Sequence, residues 1–535
     1  MRVLIFHGYL LSGTGSNVYN SALAEALVRA GHEVHMLSQD RDPLTHDWVD
    51  AAGDWDGGEL VVRARREAPR ATVYRPDIGG VLPLYVADRY EGVDARPFHD
   101  LDEAEVDRYL AANVAAAREV AERVRPDVAL ANHLVMGPVV LARALAGLGV
   151  PYAVKVHGSA LEYTVKPHPR FLPYAREGLA GAGGILVGSR HTAESLWAAL
   201  ADPSVEERTR LGPPGVDIVR FAPREPAAAL AGLDALRERL ARESGPAHEP
   251  GAGATRESAP AAGPAGDSFA RSAGEAVAAL ARLDRDDRLV VFVGKLIASK
   301  GAELLLAAWP LVLAREPRAR LVIVGFGAFR PALEGLAGDL ERGDLDAARG
   351  LRAEDGRELP QLTAFLDSLT AEQAADYRAA ARGMRERIAW TGRLDHAELT
   401  DLLPAADAMV VPSTFPEAFG MVAAEAAACG ALPVVAAHSG LAEVARTLGA
   451  AAPAEVRDLL TFEVGPGAVR ELAADLAGWL EAPPELRAAT RAAIVAATRE
   501  AYSWDGVARG VIAAARGELD GLPRPATPVD RVPRP

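Results

Sequence analysis

The sequence predicts an α/β protein made of two doubly wound parallel-sheet domains. Short apolar strands alternate with helical stretches through the first 222 residues. The alternation restarts at Leu289 and runs almost to the end of the chain. Between the halves, Glu243–Gly274 is rich in Ala, Gly, Pro, Ser and Glu, with Phe269 its single large apolar residue. Strand–helix alternation gives parallel sheets covered by helices. A stretch with so little to bury cannot offset its ordering entropy, so it reads as a disordered insertion inside a linker at 223–287.

In chain order, Val3–Phe6 is a buried strand, followed by a loop carrying Gly13 and Gly15. A helix from about Asn17 to Ala30 stops at Gly31, the usual C-terminal residue. Val34–Leu37, Val128–Ala131, Tyr152–Val156 and Ile185–Val187 continue the sheet, with Glu103–Val124 as a helix between them. In the second half the strands are Leu289–Val293, Leu321–Val324, Ile388–Trp390, Met409–Val411 and Pro433–Ala436. Phe326–Arg387 is long, charged and alanine-rich, and reads as a helical insertion over about 328–387. A last helix covers about 500–517, and the proline-rich end, 518–535, reads as a frayed tail.

The 535 residues suffice for more than one core, and 49% of them are apolar. A net charge of −15 repels nucleic acid and anionic lipid, which argues against nucleic-acid binding. The local run Arg63, Arg65, Arg66 and Arg70 reads as a solvated charged face. Cys429 is the single cysteine, so neither a disulfide framework nor a cysteine zinc site can form, and it reads as a small core residue. His7-Gly8 interrupts the first apolar run too early for a signal peptide. No stretch is long and apolar enough for a transmembrane segment, so a cytoplasmic location is expected, compatible with peripheral membrane contact.

The most informative stretch is Thr414 to Gly430, in which Glu417 and Glu425 stand eight apart around Phe419-Gly420. An apolar strand precedes it and another follows it. Glu417 falls in the loop leaving the first strand, and Glu425 a little over two turns into the next helix. The start of that helix aims amides at an anion, while carboxylates accept sugar hydroxyls. Together they describe a seat for a sugar joined to a diphosphate. Gly294-Lys295 closes one strand and Lys300-Gly301 opens the following helix, which sets two ammonium groups where a diphosphate would lie. Gly325, Gly392-Arg393 and Ser439-Gly440 fall at the same end of that sheet, and His157 caps a strand of the first half.

Other motifs are weaker. Gly13-Thr14-Gly15 suits a phosphate loop, but a dinucleotide fingerprint wants a third glycine near Val18. Three acidic pairs, Asp40/Asp42, Asp54/Asp56 and Asp284/Asp286, could hold a divalent ion. None ends a convincing core strand, so no metal site is expected.

These residues carry a resemblance. The chain resembles the two-domain retaining glycosyltransferases of the GT-B fold, family 4 (glycosyl transferases group 1). The matching pieces are Gly13–Asn17, Val156–Gly158, Gly188-Ser189, Pro214–Asp217 with Phe221, Gly294–Leu296, Lys300-Gly301, Gly325–Gly327, Thr391-Gly392 and Pro412–Gly430. They stand in family order and cover most of the chain outside the insertions. The resemblance implies two Rossmann-like domains facing across a cleft: 1–222, completed by the helix at about 500–517, for the acceptor, and 288–499 for the donor. It implies a hexose moved from a nucleotide-diphosphate sugar with retention at the anomeric carbon, and no cofactor beyond that donor. Glu417 would hold sugar hydroxyls with the amides of Ala418, Phe419, Gly420 and Met421, and Glu425 the ribose. Lys295 and Lys300 would hold the diphosphate, and His157 would lie near the breaking bond. Gly13, Gly15, Gly294, Gly325, Gly392 and Arg393 would complete the donor site. The acceptor would be a small molecule, a glycan or a lipid-linked group, and Tyr163, Lys166 and His168 are candidates to meet it. Two departures stand out: the family usually has arginine at Lys295, and Ser439-Gly440 replaces paired glycines.

A nucleotide-sugar epimerase on the same fold and a non-catalytic nucleotide-sugar binder are the alternatives. A nicotinamide oxidoreductase is disfavoured by the absent glycine.

Overall fold

The computed structural model describes residues 1–12, 15–85, 94–244 and 272–525. The chain divides into two compact units, Met1–Gly215 with Tyr502–Pro535, and Val216–Ala501. The sequence pattern ends the first domain at 222, but Val216–Phe221 belongs to the second unit, where the Phe221 ring packs 4.8 Å from that of His396.

The first unit contains β1 (Arg2–Phe6), β2 (Glu33–Leu37), β3 (Ala51–Asp56), β4 (Glu59–Ala64), β5 (Ala71–Arg75), β6 (Val81–Leu84) and β7 (Asp94–Pro97). It continues with β8 (Val128–Asn132), β9 (Tyr152–Val156), β10 (Gly184–Val187) and β11 (Thr209–Leu211). Nine of these strands form one sheet in the order β11-β10-β9-β8-β1-β2-β5-β3-β4, while β6 and β7 pair separately. All ladders of the large sheet are parallel except the β3–β4 hairpin. Alternate residues of β1 serve opposite faces. Leu4 and Phe6 enter a core with the helix Glu103–Val124, whereas Val3 and Ile5 enter one with Trp504, Ala508 and Val511 of the last helix, Trp504–Arg516.

The second unit holds β12 (Arg288–Val293), β13 (Ala319–Val324), β14 (Ile388–Gly392), β15 (Ala408–Val411), β16 (Leu432–Ala436) and β17 (Thr461–Phe462). Their order is β14-β13-β12-β15-β16-β17, all parallel. Counting from β12, that is 3-2-1-4-5-6, the doubly wound dinucleotide-fold order, and its direction reverses between β12 and β15. A ligand belongs beyond the carboxyl ends of those two strands.

The stretch 328–387 is built from the helices Arg330–Arg342, Leu345–Arg349, Pro360–Asp367 and Ala371–Ala381. Three of these pack against the helix Ala302–Arg315, whose residues from Ala302 to Pro310 are all buried. A helix buried on every side along such a stretch must be covered all round, and the insertion supplies part of that cover. Pro310 inside this helix offers no amide to Leu306. At the next carbonyl, Tyr377 of the insertion donates its hydroxyl to Ala307 O at 2.7 Å.

The linker expected at 223–287 contains two helices, Pro226–Glu243 and Ala273–Leu280. Leu233, Leu236 and Leu240 recur at helical spacing and are buried, a period that the low-complexity composition around them obscured. Asp401 fastens the first of these helices, accepting from Arg224 and Arg239 at 2.9 Å each. The low-complexity core of the linker, 245–271, and the end of the tail, 526–535, lie outside the described residues. Among the described residues no helix is long and apolar enough to cross a membrane.

Candidate functional site

At the β12/β15 switch point, two loops are pressed together. The loop after β12 ends in a short turn, Ala298–Lys300, and Gly301 starts the next helix with φ +68°. A Cβ on Gly301 would stand 1.9 Å from Pro412 O, so only glycine lets the loop after β15 come this close. Thr414 N donates to Ser299 O at 3.0 Å and joins the two loops further. The result brings Lys300 onto Glu417: the ammonium bonds to the carboxylate Oε1, which also accepts from Ser413 Oγ at 2.7 Å. Both side chains remain partly exposed, so the pair is open to a ligand.

Glu417 is held by its backbone as well. Its amide donates to Ser439 Oγ at 2.9 Å, and its carbonyl accepts from Gly440 N at 2.9 Å. Gly440 lies so close that a Cβ would stand 2.4 Å from Phe419 Cα, which explains why glycine survives here when its neighbour is serine. Ser439 takes φ +52°, and its hydroxyl is anchored to His438 Nδ1 at 3.0 Å. His438 Nε2 in turn donates to Ser413 O at 2.8 Å. His438 was not singled out from sequence, and Ser413 entered only as part of the matched stretch Pro412–Gly430. Their signal was their place: each follows the carboxyl end of a switch-point sheet strand.

The helix Met421–Cys429 begins behind Gly420, so its first amides have no partner within the helix. Phe419 is buried under it, and Ala418, Gly420 and Met421 are half-buried around the turn. Glu425 is nearly sealed, 4% exposed at its side chain, and its Oε1 bonds His396 Nε2 at 2.8 Å. Burial opposes the imidazolium of His396, but the hydrogen bond and charge of Glu425 outweigh it and raise its pKa above the ordinary value. Cys429 is buried as expected, with its thiol pushed up to about 12 by burial.

The remaining donor-site candidates lie along the same strand ends. Gly294 N donates to Val324 O at 3.0 Å and Gly325 N to Gly392 O at 2.9 Å, so these three turns form one row. Gly392 is overlaid by Glu275, which pairs with Arg330 of the insertion. Arg393 pairs with Asp395 at 3.1 Å. Lys295 is exposed on the loop that leads to Lys300.

In the first unit the sheet reverses between β1 and β8, and a polar cluster stands at their carboxyl ends. His157, after β9, bonds Asn132 Oδ1 at 2.8 Å through Nε2. Asn132 gives its amide to Phe6 O at 3.2 Å, so its oxygen faces the ring and Nε2 of His157 carries the proton. Nδ1 is then the acceptor. His133 and Tyr19 flank the ring at 4.9 and 5.0 Å. Burial, with His133, Lys155 and His7 nearby, holds the pKa of His157 well below its usual value, so the ring is neutral at pH 7. His7 is neutral too, lowered to about 4 by burial. Gly15 opens the helix Gly15–Arg29 into clear space, and Gly13 lies outside the described residues.

The acceptor candidates occupy the segment after β9. Tyr163 is 45% exposed. Lys166 bonds Glu162 at 2.6 Å and Ser195 at 3.0 Å. His168 stacks on His99 with ring centroids 4.5 Å apart. The basic run is an exposed face, as expected, with each member held by a partner: Arg63 pairs with Asp54, Arg66 with Asp50, Arg65 donates to three carbonyls and Arg70 to Val28 O. Asp54 lies within β3 and its carboxylate is taken by Arg63 and Arg75, while Asp56 is the last residue of that strand.

The family of glycosyl transferases group 1 matches residues 279–494, and a glycosyl transferase 4-like domain matches residues 14–215. The chain belongs to the group 1 glycosyltransferases. Its fold is GT-B, with one Rossmann-like sheet in each unit. A D-inositol 3-phosphate glycosyltransferase of Segniliparus rotundus is 31% identical over 239 residues, 45% of this chain and 42% of that protein. The chain thus matches less than half the length of this relative. A protein of the same name from Xylanimonas cellulosilytica is 27% identical over 511 residues, 93% of this chain and 90% of its own. Among solved structures, Anabaena Alr3699/HepE in complex with UDP and glucose aligns with TM-score 0.54 at 16% identity, over 97% of this chain and 100% of that one. The catalytic domain of Arabidopsis thaliana starch synthase IV, bound to ADP and acarbose, aligns with TM-score 0.56 at 13% identity, over 96% and 99%. At such identities these likenesses speak for the fold.

Proposed function

We propose that this glycosyltransferase moves a hexose from a nucleotide-diphosphate sugar to an acceptor hydroxyl, with retention at the anomeric carbon. The observation that carries the reading is the Lys300–Glu417 pair at the switch point of a 3-2-1-4-5-6 sheet, with Glu425 eight residues further on. Glu417 accepts from sugar hydroxyls, and Glu425 from the ribose. Lys300 and Lys295 neutralise the diphosphate as it leaves, helped by the amides at the start of the helix Met421–Cys429. His157 is neutral with Nδ1 as an acceptor, which suits a sugar hydroxyl and not a cationic role. In the step, the bond from the anomeric carbon to the diphosphate oxygen breaks. The acceptor oxygen bonds to the same face, and its proton passes to the departing phosphate. The names of the matched proteins support the reading: an inositol-phosphate glycosyltransferase for glycosyl transfer, and HepE with UDP and glucose and a starch synthase holding ADP for a nucleotide donor.

A thermal-shift screen with UDP-, ADP- and GDP-sugars tests the donor site. Binding at 100 times Kd adds about 2.7 kcal/mol of stability. Glu417→Gln is expected to slow donor hydrolysis about 10- to 100-fold, from the 1.5–3 kcal/mol of a hydrogen bond to a charged group. Hydrolysis unaffected in that variant, or no shift with any of the three donors, would remove the basis of the reading. Product NMR that shows an inverted anomeric centre would remove retention alone.

A further inference from the structure

His396 belongs to no motif found in the sequence, yet it is the sole hydrogen-bond partner of the Glu425 carboxylate among the described residues. The two differ sharply in exposure, with 48% of the His396 side chain and 4% of the Glu425 side chain open to solvent. The carboxylate is therefore shielded, and one oxygen is fixed by a ring that solvent reaches. The ring itself is not loose. It stands at the first position of the helix His396–Leu402, whose start is held by a capping box between Asp395 and Glu398. It packs, tilted by 51°, against the ring of Phe221, itself 1% exposed, with centroids 4.8 Å apart. A carboxylate with one oxygen tied and the other without a hydrogen bond can grip a vicinal diol only if its plane is held, because both hydroxyls must be met at once.

We propose that His396, backed by Phe221, is a positioning residue that orients the Glu425 carboxylate toward the ribose diol of the donor nucleotide. The proposal rests on the reading of Glu425 as the ribose acceptor. His396 carries no share of bond breaking. It acts through Glu425, and so its removal costs affinity for the ribose and leaves the diphosphate grip at Lys300 intact. Charge enters as a secondary feature. The groups facing His396 are Glu425, Asp217 and Arg220. Arg239, from the helix Pro226–Glu243 packed alongside, and Arg224, just before that helix, are occupied by Asp401, and the thiol of Cys429 stays neutral. As pH rises through the raised pKa of His396, its positive charge is lost while an Nε2 proton can still reach Glu425. The grip should weaken without vanishing.

The test compares affinity for a ribonucleoside diphosphate with that for its 2′,3′-dideoxy form, by calorimetry on the full chain. The base is whichever of UDP, ADP and GDP raises the melting temperature most. In the parent, the ribose form should bind more tightly. His396→Ala is expected to erase about tenfold of that preference, the factor that a net 1.4 kcal/mol hydrogen bond supplies. His396→Gln, which keeps a donor near the same place, should retain most of it and flatten its pH dependence between pH 6 and 8. Two results overturn the proposal: a ribose preference within twofold of the parent in His396→Ala, or equal weakening of both nucleotides, which marks a merely structural role. A Glu425→Gln variant with undiminished ribose preference would instead overturn the underlying reading of Glu425, and so separates the two failures.

Discussion

Glu303 offers the most quantitative test of the second unit. It lies in the first turn of the helix that Lys300 precedes, is 1% exposed, and its Oε2 is buried with no hydrogen-bond partner. Burial pushes its pKa from 4.5 to about 8. At pH 7 the folded protein therefore holds a proton that the unfolded chain has released. Stability from this group is full below the unfolded value and drains away as pH rises toward the folded one. From 4.5 to 7 the loss is about 3 kcal/mol, at 1.36 kcal/mol per pH unit. Glu303→Gln, of the same shape and never charged, escapes that loss. It should melt roughly 6–12 °C above the parent at pH 7, on ~2–4 °C per kcal/mol for a unit of this size. The gap should close to about 1 kcal/mol or less at pH 5. Scanning calorimetry of both proteins across pH 5 to 8 reads the difference. Parallel curves would refute the reasoning, because they would mean that the acid is not stored in its neutral form.

Two further changes probe how the site is held. Gly301→Ala forces a Cβ against Pro412 O at a left-handed backbone position, and should cost about 2 kcal/mol or more in urea unfolding; a cost below about 0.5 kcal/mol would show that the loops can separate. Tyr377→Phe removes the hydroxyl bond to Ala307 O and should cost about 1–2 kcal/mol with nucleotide affinity unchanged.

The strands that position the site were legible because parallel strands buried on both faces read as continuous apolar runs, as in Val290–Phe292 and Met409–Val411. The helix Glu103–Val124 was equally plain, and the structure adds a capping box between Asp102 and Glu105 at its start. The strands β3 and β4 were not: Ala51–Asp56 has little β propensity, and β4 is an edge strand with Val61 and Val62 exposed. Their pairing comes from tertiary partners. Within the site, the Glu417–Glu425 spacing and Lys300 were visible because helix periodicity and strand ends are local facts. The bonds from His396 and Ser439 were not, because each joins segments far apart in the chain that meet only through the sheet. Ser439 in a left-handed conformation also shows that a missing glycine need not mean a lost turn, provided its hydroxyl gains a partner.

The cover over Ala302–Arg315 also limits how this protein can be shortened. Removal of 328–387 would strip a flank from a rod of leucine, alanine and tryptophan and present it to water, a sticky surface at the root of the turn that bears Lys300. A trimmed variant would therefore need polar replacements along that rod before it could stay dispersed.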